Sequence, residues 1–449
     1  MYNYVNMKDI GSYKMKENLK LKKDFGGAIT VLCLILFVGS GSSVFQSYHP
    51  INNTLGFVIY LLCGLYLFIK SDFYSSKTFL ISLLIVGMWS CYHYYTDISF
   101  QYISYGLFIL DLVFAYLLVR RLRYDIFYYF EKIVYFLAIV SLVFWMLNNL
   151  LGTETLVDLA PLKASLYYRL HEASASFVFY TVGVFDPNVD FQVGNIIKNC
   201  GFCWEPGRFS SVLVFSFAIY LIRVKNSLGI FSKRGLVYVL TIITTFSTTG
   251  YIALLFLLIL NLLFKYNSNW NLKFILLGCL IWFVPVVYQL DFIGKKIEMK
   301  MDESDFHTNK NMKWMAKSDR VFCVDRFEGL VLDGFNLSES PYLGYGLADK
   351  DSYVYKEISP YIVTSNGIIK PLAQWGCVLG LAFMFLYARS TRYYCKLMQY
   401  KPVFMLVVIT LLISVSYNFF NSTLFFAFAF CSLFTSKKDN LVNTSLVEQ

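Results

Sequence analysis

Apolar residues in this chain run in long unbroken blocks rather than alternating or recurring on one face. The blocks fall at about 26–45, 52–69, 78–95, 99–119, 127–151, 206–222, 235–247, 249–264, 274–290, 367–388, 402–418 and 421–435. An apolar run of roughly 18 or more residues is long enough to cross a bilayer as a helix. Strands of a membrane barrel alternate, and these blocks do not. The pattern predicts an all-α polytopic membrane protein with about twelve transmembrane helices. Two pairs of blocks are halves of longer runs, 235–264 and 402–434. Each run has a polar break near its middle, Ser247-Thr248-Thr249-Gly250 in one and Asn418 with Asn421-Ser422 in the other. Two short crossings are expected from each, with a tilted or broken helix as the alternative.

Composition agrees with that pattern. The 449 residues are 57% hydrophobic and only 15% charged, against about 25% charged in soluble domains. A disordered chain, a disulfide scaffold and a soluble enzyme are excluded. Charge then orients the chain. Of 39 basic residues, 23 fall in the termini and alternate short connections, among them Lys20, Arg121, Arg234, Arg392 and Lys437. Positive residues concentrate on the cytoplasmic side. Residues 1–25 and 436–449 are therefore expected to be cytoplasmic tails, and 152–204 and 291–366 two long periplasmic loops. Helices one to five then occupy 26–151, six to nine 205–290, and ten to twelve 367–435. This distribution, rather than the net charge of +10, argues against nucleic acid as a partner. No cleavable signal peptide is visible in the Lys-rich start.

Without a soluble catalytic domain, chemistry is expected where the long loops meet the outer helix ends. Trp204-Glu205-Pro206-Gly207-Arg208 precedes an apolar run. Pro206 suits a first helical turn, which sets Glu205 at the positive helix end with Arg208 on the same face. Such a site can bind a diphosphate or position a carboxylate base; a plain interfacial ion pair fits the same spacing. Arg326 and Arg320 can clamp phosphate oxygens, or stand as solvated loop arginines. Ser340-Pro341-Tyr342-Leu343-Gly344-Tyr345-Gly346 follows, and its glycines permit a tight turn close to a ligand. Cys200 and Cys203 form an isolated CxxC, open between a local disulfide and two free thiols. The four His lack metal-ligand spacing, so no metal is expected. Asp111 lies inside an apolar run and is a functional candidate, or a hydrogen-bonded bundle residue.

The order of these features resembles the Wzy-type O-antigen polymerases, in the group that includes O-antigen ligases. The resemblance rests on Gly-Phe-Cys-Trp-Glu-Pro-Gly-Arg-Phe-Ser (201–210), Phe246-Ser247-Thr248-Thr249-Gly250-Tyr251, an Arg ahead of Pro341-Tyr342-Leu343-Gly344-Tyr345-Gly346, Asn366-Gly367-Ile368-Ile369, and Gly376-Cys377-Val378-Leu379-Gly380. It covers roughly residues 200–385. It implies glycosyl transfer between undecaprenyl-diphosphate-linked repeat units at the periplasmic face of a bacterial inner membrane, without metal or cofactor. It assigns catalysis to Glu205, Arg208 and Arg326, and diphosphate binding to Arg208, Arg326 and Arg320. Membrane lipids and a chain-length regulator protein are the further partners it implies. Ligases typically carry a His where Ser365 stands here, which favours polymerase. A ligase and a polysaccharide-unit flippase or transporter are the alternatives.

Overall fold

The computed structural model describes residues 24–38, 50–70, 77–97, 100–165, 173–184, 192–193, 196–203, 205–224, 229–265, 278, 322–324, 326–364, 366–415 and 417–433. The two tails, the 274–290 block except for residue 278, Trp204, Arg320 and Ser365 lie outside them. The protein is mostly helical. Among the described residues the α-helices are α1 (Phe25–Cys33), α2 (Pro50–Lys70), α3 (Lys77–Thr96), α4 (Tyr102–Leu122), α5 (Asp125–Leu151), α6 (Thr153–Leu159), α7 (Pro206–Arg223), α8 (Lys233–Thr244), α9 (Thr248–Lys265), α10 (Arg326–Glu339), α11 (Ile369–Leu397), α12 (Met405–Ser414) and α13 (Thr423–Phe430). Eleven of the twelve apolar blocks therefore coincide with a helix.

Three of these helices are long and apolar enough to cross a membrane: Tyr102–Leu122, Asp125–Leu151 and Ile369–Leu397. The count of twelve separate crossings is not met by helix length among the described residues. The ten-residue α12 covers about 15 Å, half of the roughly 30 Å hydrocarbon core. The polar breaks are real. Phe246, at φ 48°, separates α8 from α9, and residues 415 and 417–422 are non-helical between α12 and α13. Short polar side chains there bond to backbone, as where Ser422 Oγ accepts from Phe425 N at 3.1 Å, and this cap starts the next helix in an apolar surrounding.

Helix α7 is the buried axis of the bundle. From Phe209 to Ile222 every residue is buried, as expected of a helix that is apolar on all sides. It packs on α5, α8, α9 and α12, while α13 lies against α4 and α11. Aromatic rings fill the junctions: Phe215 meets Phe130 and Phe428, and Trp375 meets Phe108 and Phe426. At one end, Asp24 caps α1 by accepting from Gly27 N at 3.0 Å. It also receives Arg121 on both oxygens, at 2.5 and 2.7 Å, which ties α1 to the last turn of α4.

The loops are not wholly irregular, which modifies the all-α expectation. Residues 162–184 contain a three-stranded antiparallel sheet, β1 (Leu162–Ser165), β2 (Ala173–Phe177) and β3 (Tyr180–Val184). Asn148 of α5 anchors it, donating to the Tyr180 hydroxyl at 3.2 Å and to the Val182 carbonyl at 2.7 Å. The two-residue strands β4 (Gln192–Val193) and β5 (Ile196–Ile197) form a small hairpin. In the second loop, β6 (Phe322–Cys323) pairs in parallel with β7 (Ile362–Val363), which closes the ends of that segment on each other.

Asp111 is a staple between helices. Its Oδ1 accepts from Tyr60 Oη at 2.8 Å and from Thr423 Oγ1 at 2.6 Å, joining α2, α4 and α13. An asparagine presents the same acceptor oxygen. Asp111→Asn is therefore expected to keep the unfolding temperature in detergent within a few degrees. Asp111→Leu strands two buried hydroxyls at about 1–3 kcal/mol each, and a clear drop in that temperature is expected. Equal losses from both variants would show that the charge, not the bonds, matters.

Candidate functional site

Glu205 stands just outside α7, in extended conformation, with Pro206 as the first helical residue. Proline lacks only an N–H that a first turn leaves unused. This holds the carboxylate beside the helix start. Arg208 Nε lies 3.5 Å from Glu205 Oε2. Arg326 reaches the other oxygen from far along the chain: its Nη2 donates to Glu205 Oε1. The sequence suggests a loop arginine, but Arg326 opens helix α10. Its carbonyl accepts from Asn366 Nδ2 at 3.4 Å. Asn366 in turn accepts from Ile368 N and Ile369 N at 2.9 and 3.0 Å, so one buried amide fixes the starts of both α10 and α11.

The breaks in the two long apolar runs arrive at the same place. Arg326 Nη1 lies 3.5 Å from the carbonyl of Val415, just past α12. A side chain at Gly207 would sit 3.6 Å from Arg326 Nη2 and 3.7 Å from Ser247 Oγ, so the 247–250 break borders the cluster too. The site thus joins residues 205–208, 247–250, 326, 366, 415 and 417. Two guanidinium groups face one carboxylate. The side chains of Glu205 and Arg326 are each 29% exposed and that of Arg208 18%, so the cluster is reachable yet partly desolvated. Below it lies a small apolar cavity bordered by Phe202, Val212, Phe215 and Tyr417.

The Gly-Tyr-Gly turn packs closely on protein backbone. It docks on a kink in α11. Gly344, Gly346 and Gly376 all have positive φ. Tyr345 N and Gly346 N donate to the carbonyls of Ala373 and Gln374 at 2.9 and 3.1 Å, and Cys377 N donates to that of Pro341 at 2.8 Å. A side chain at Gly344 or Gly376 would run into the facing backbone. Behind the turn, Trp89 Nε1 and His93 Nε2 contact the Leu343 carbonyl at 2.8 and 3.2 Å. His93 Nδ1 lies 2.8 Å from Asp97, and Tyr105 Oη accepts from Leu347 N at 3.2 Å. None of Trp89, His93, Asp97 and Tyr105 stands out in the sequence. The only hint is their density of polar and aromatic types at the end of an apolar block.

Cys200 and Cys203 are free and buried. Burial pushes both thiols well above their ordinary range, which makes them poor nucleophiles and poor metal ligands. Among the described residues no group of three His, Cys, Asp or Glu is placed to hold a metal. A further carboxylate does stand out. Asp333, two turns along α10 from Arg326, is fully buried. Its Oδ1 accepts from Thr364 Oγ1 at 2.7 Å, while its Oδ2 meets no donor among the described residues. Burial raises this carboxyl to about 6, partly opposed by the Thr364 bond and by Lys370.

With this geometry in view, the chain was compared with known proteins: no family model, no curated protein and no solved structure matches it.

Asp333 generates a pH prediction. Its carboxyl is raised on folding, so the charged form opposes the folded state. Stability falls as pH rises from about 4 through about 6 and stays lowered above that. Asp333→Asn keeps the acceptor for Thr364 without the charge. At pH 7.5 it is expected to be more stable than the parent by on the order of 1–3 kcal/mol, with the gap closing towards pH 4. Thermal unfolding at the two pH values checks this; a gap that does not change with pH would show that burial of the charge is not the cause.

Proposed function

We propose that the protein is a membrane glycosyltransferase that polymerises polyprenyl-diphosphate-linked oligosaccharide units, an O-antigen or related surface polysaccharide polymerase. The observation that carries this reading is the meeting of Glu205, Arg208 and Arg326, from segments 121 residues apart, at one end of an apolar helical bundle. In this reading the chain crosses a bacterial inner membrane about twelve times, counting the short broken helices, with 152–204 and 291–366 on the periplasmic side. Undecaprenyl-diphosphate glycans are the substrates, and a chain-length regulator is a partner.

The chemistry follows from the charges. An acceptor hydroxyl attacks C1 of the donor sugar, the C1–oxygen bond to the diphosphate breaks, and the diphosphate leaves with the electron pair. Two arginines aimed at the leaving group supply electrostatic stabilisation, which usually dominates catalysis of this kind. Before substrate arrives, both guanidinium groups are held by Glu205. An incoming diphosphate competes for them, anion for anion. Glu205, loosened from its partners, is then the carboxylate within reach to take the hydroxyl proton. The broken helices that end at this site are also a hallmark of transporters, and that observation keeps a glycan-unit flippase as the second reading.

The variants separate these readings. Arg326→Ala and Arg208→Ala are each expected to lower polymerisation by about 10²–10³-fold at normal protein levels, read as loss of the long-chain ladder of surface glycan. Arg326→Lys is expected to rescue only in part, because an ammonium lacks the two-pronged fork. Glu205→Gln keeps the shape and removes proton acceptance, so the ladder is expected to collapse to single units. Purified protein in vesicles with lipid-linked units on its outer-facing side checks the class directly: a polymerase lengthens them without transport. Wild-type ladders from all four variants would overturn the site, and transport without lengthening would establish the flippase.

A further inference from the structure

Helix α7 has the candidate site at its start and Arg223 in its last turn, about 27 Å away along the axis. A second charged cluster closes the bundle there. Glu131 of α5 is fully buried. Arg223 Nη2 donates to its Oε2 at 2.7 Å, and Arg234 Nη1 lies 3.4 Å from its Oε1. The Tyr238 hydroxyl donates to the Glu131 carbonyl at 3.0 Å. The guanidinium groups also lie against rings: Arg223 over Tyr128 at 5.0 Å and Arg234 over Tyr135 at 4.4 Å. Lys132 covers Tyr128 at 4.4 Å.

The charges do not balance. Two guanidinium groups, which cannot lose their protons, share one carboxylate, and Lys132 and Lys233 stand exposed beside them. The other acid nearby, Asp125, is six residues earlier on α5, a spacing that turns it off the Glu131 face. Arg223 Nε is buried and meets no acceptor among the described residues. Only 21% of the Arg223 side chain and 26% of that of Arg234 are exposed. The part of each guanidinium left exposed carries more than one donor, so an anion with at least two oxygens fits the geometry. The cluster ends a fully apolar helix and is ringed by Tyr128, Tyr135 and Tyr220, the residue type that settles at headgroup level. Basic pockets between helix ends at that level take acidic headgroups.

We propose that Arg223 and Arg234, fanned out around Glu131, bind the phosphate of an anionic phospholipid at the end of the bundle opposite the candidate site. Glu131 is the resident competitor for the two arginines, so it sets the affinity. The assignment is independent of the reaction proposed above.

The experiment is thermal unfolding of the full-length protein in detergent, titrated with phosphatidylglycerol, phosphatidylcholine or inorganic phosphate. Phosphatidylglycerol is expected to stabilise with a half-saturation about tenfold below that of phosphatidylcholine, and inorganic phosphate to have little effect. Arg234→Gln is expected to weaken the phosphatidylglycerol response at least fivefold. Glu131→Gln, which removes the competitor, is expected to strengthen it. Should Glu131→Gln not fold, Arg234→Lys decides: it keeps the charge beside Glu131 but loses the fork, and about a threefold weaker response is expected. Equal responses to the two lipids, or responses unchanged by the folded variants, would overturn the proposal. A phosphate response matching that of phosphatidylglycerol would overturn the lipid assignment.

Discussion

Glu205 carries two guanidinium groups that reach it from opposite directions, Arg208 from its own helix and Arg326 from a helix that begins 121 residues later. A carboxylate in a partly dry site needs cations, and a cation there needs a carboxylate. That mutual need pins the start of α10 to the start of α7. The buried Asn366 then joins α10 to α11, and the Val415 carbonyl beside Arg326 brings in the end of α12. The charge cluster thus organises the outer segments as much as it offers a surface for chemistry.

A similar constraint explains the glycines of the 340–346 segment. A turn lying across a kinked helix needs backbone in contact with backbone. Gly344 and Gly376 meet face to face with positive φ, a conformation other residues adopt only under strain. The turn is then clamped from behind by Trp89, His93 and Tyr105. Its rigidity fixes the frame in which α10 and α11 present Arg326 and Asn366. The motif is a joint between two structural elements.

Charge is placed at both ends of the buried axis. Helix α7 is apolar from Phe209 to Ile222, and the cost of ionised groups within that stretch restricts them to its ends. One end gathers Glu205, Arg208 and Arg326; the other gathers Glu131, Arg223 and Arg234. Each cluster sets two arginines against one carboxylate, so each holds an excess of positive charge suited to a phosphate group. Between them the aromatic core of Phe130, Phe215 and Phe428 keeps the two separate.

Hydropathy alone determined the helices of the apolar blocks, because a backbone in an apolar medium must satisfy its own hydrogen bonds, but not α6 and α10, which lie in segments that read as loops. Eleven apolar blocks and their polar breaks are legible that way, as are Pro206 as a helix start and Glu205 with Arg208 as a local pair three residues apart. Helix ends were less legible. Block 367–388 continues to Leu397 because Arg389, Arg392 and Lys396 are good helix formers whose charge hides the continuation. The length of each helix was not legible, since short polar residues such as Ser247 and Ser422 start a new helix only where their side chains find backbone partners. Long-range partners were out of reach for the same reason. That Arg326 meets Glu205, that His93 grips the 343 carbonyl, that Asp333 is buried, and that Arg223 and Arg234 converge on Glu131 depend on which helices pack together, and packing of apolar faces is too unspecific in sequence to name its partners.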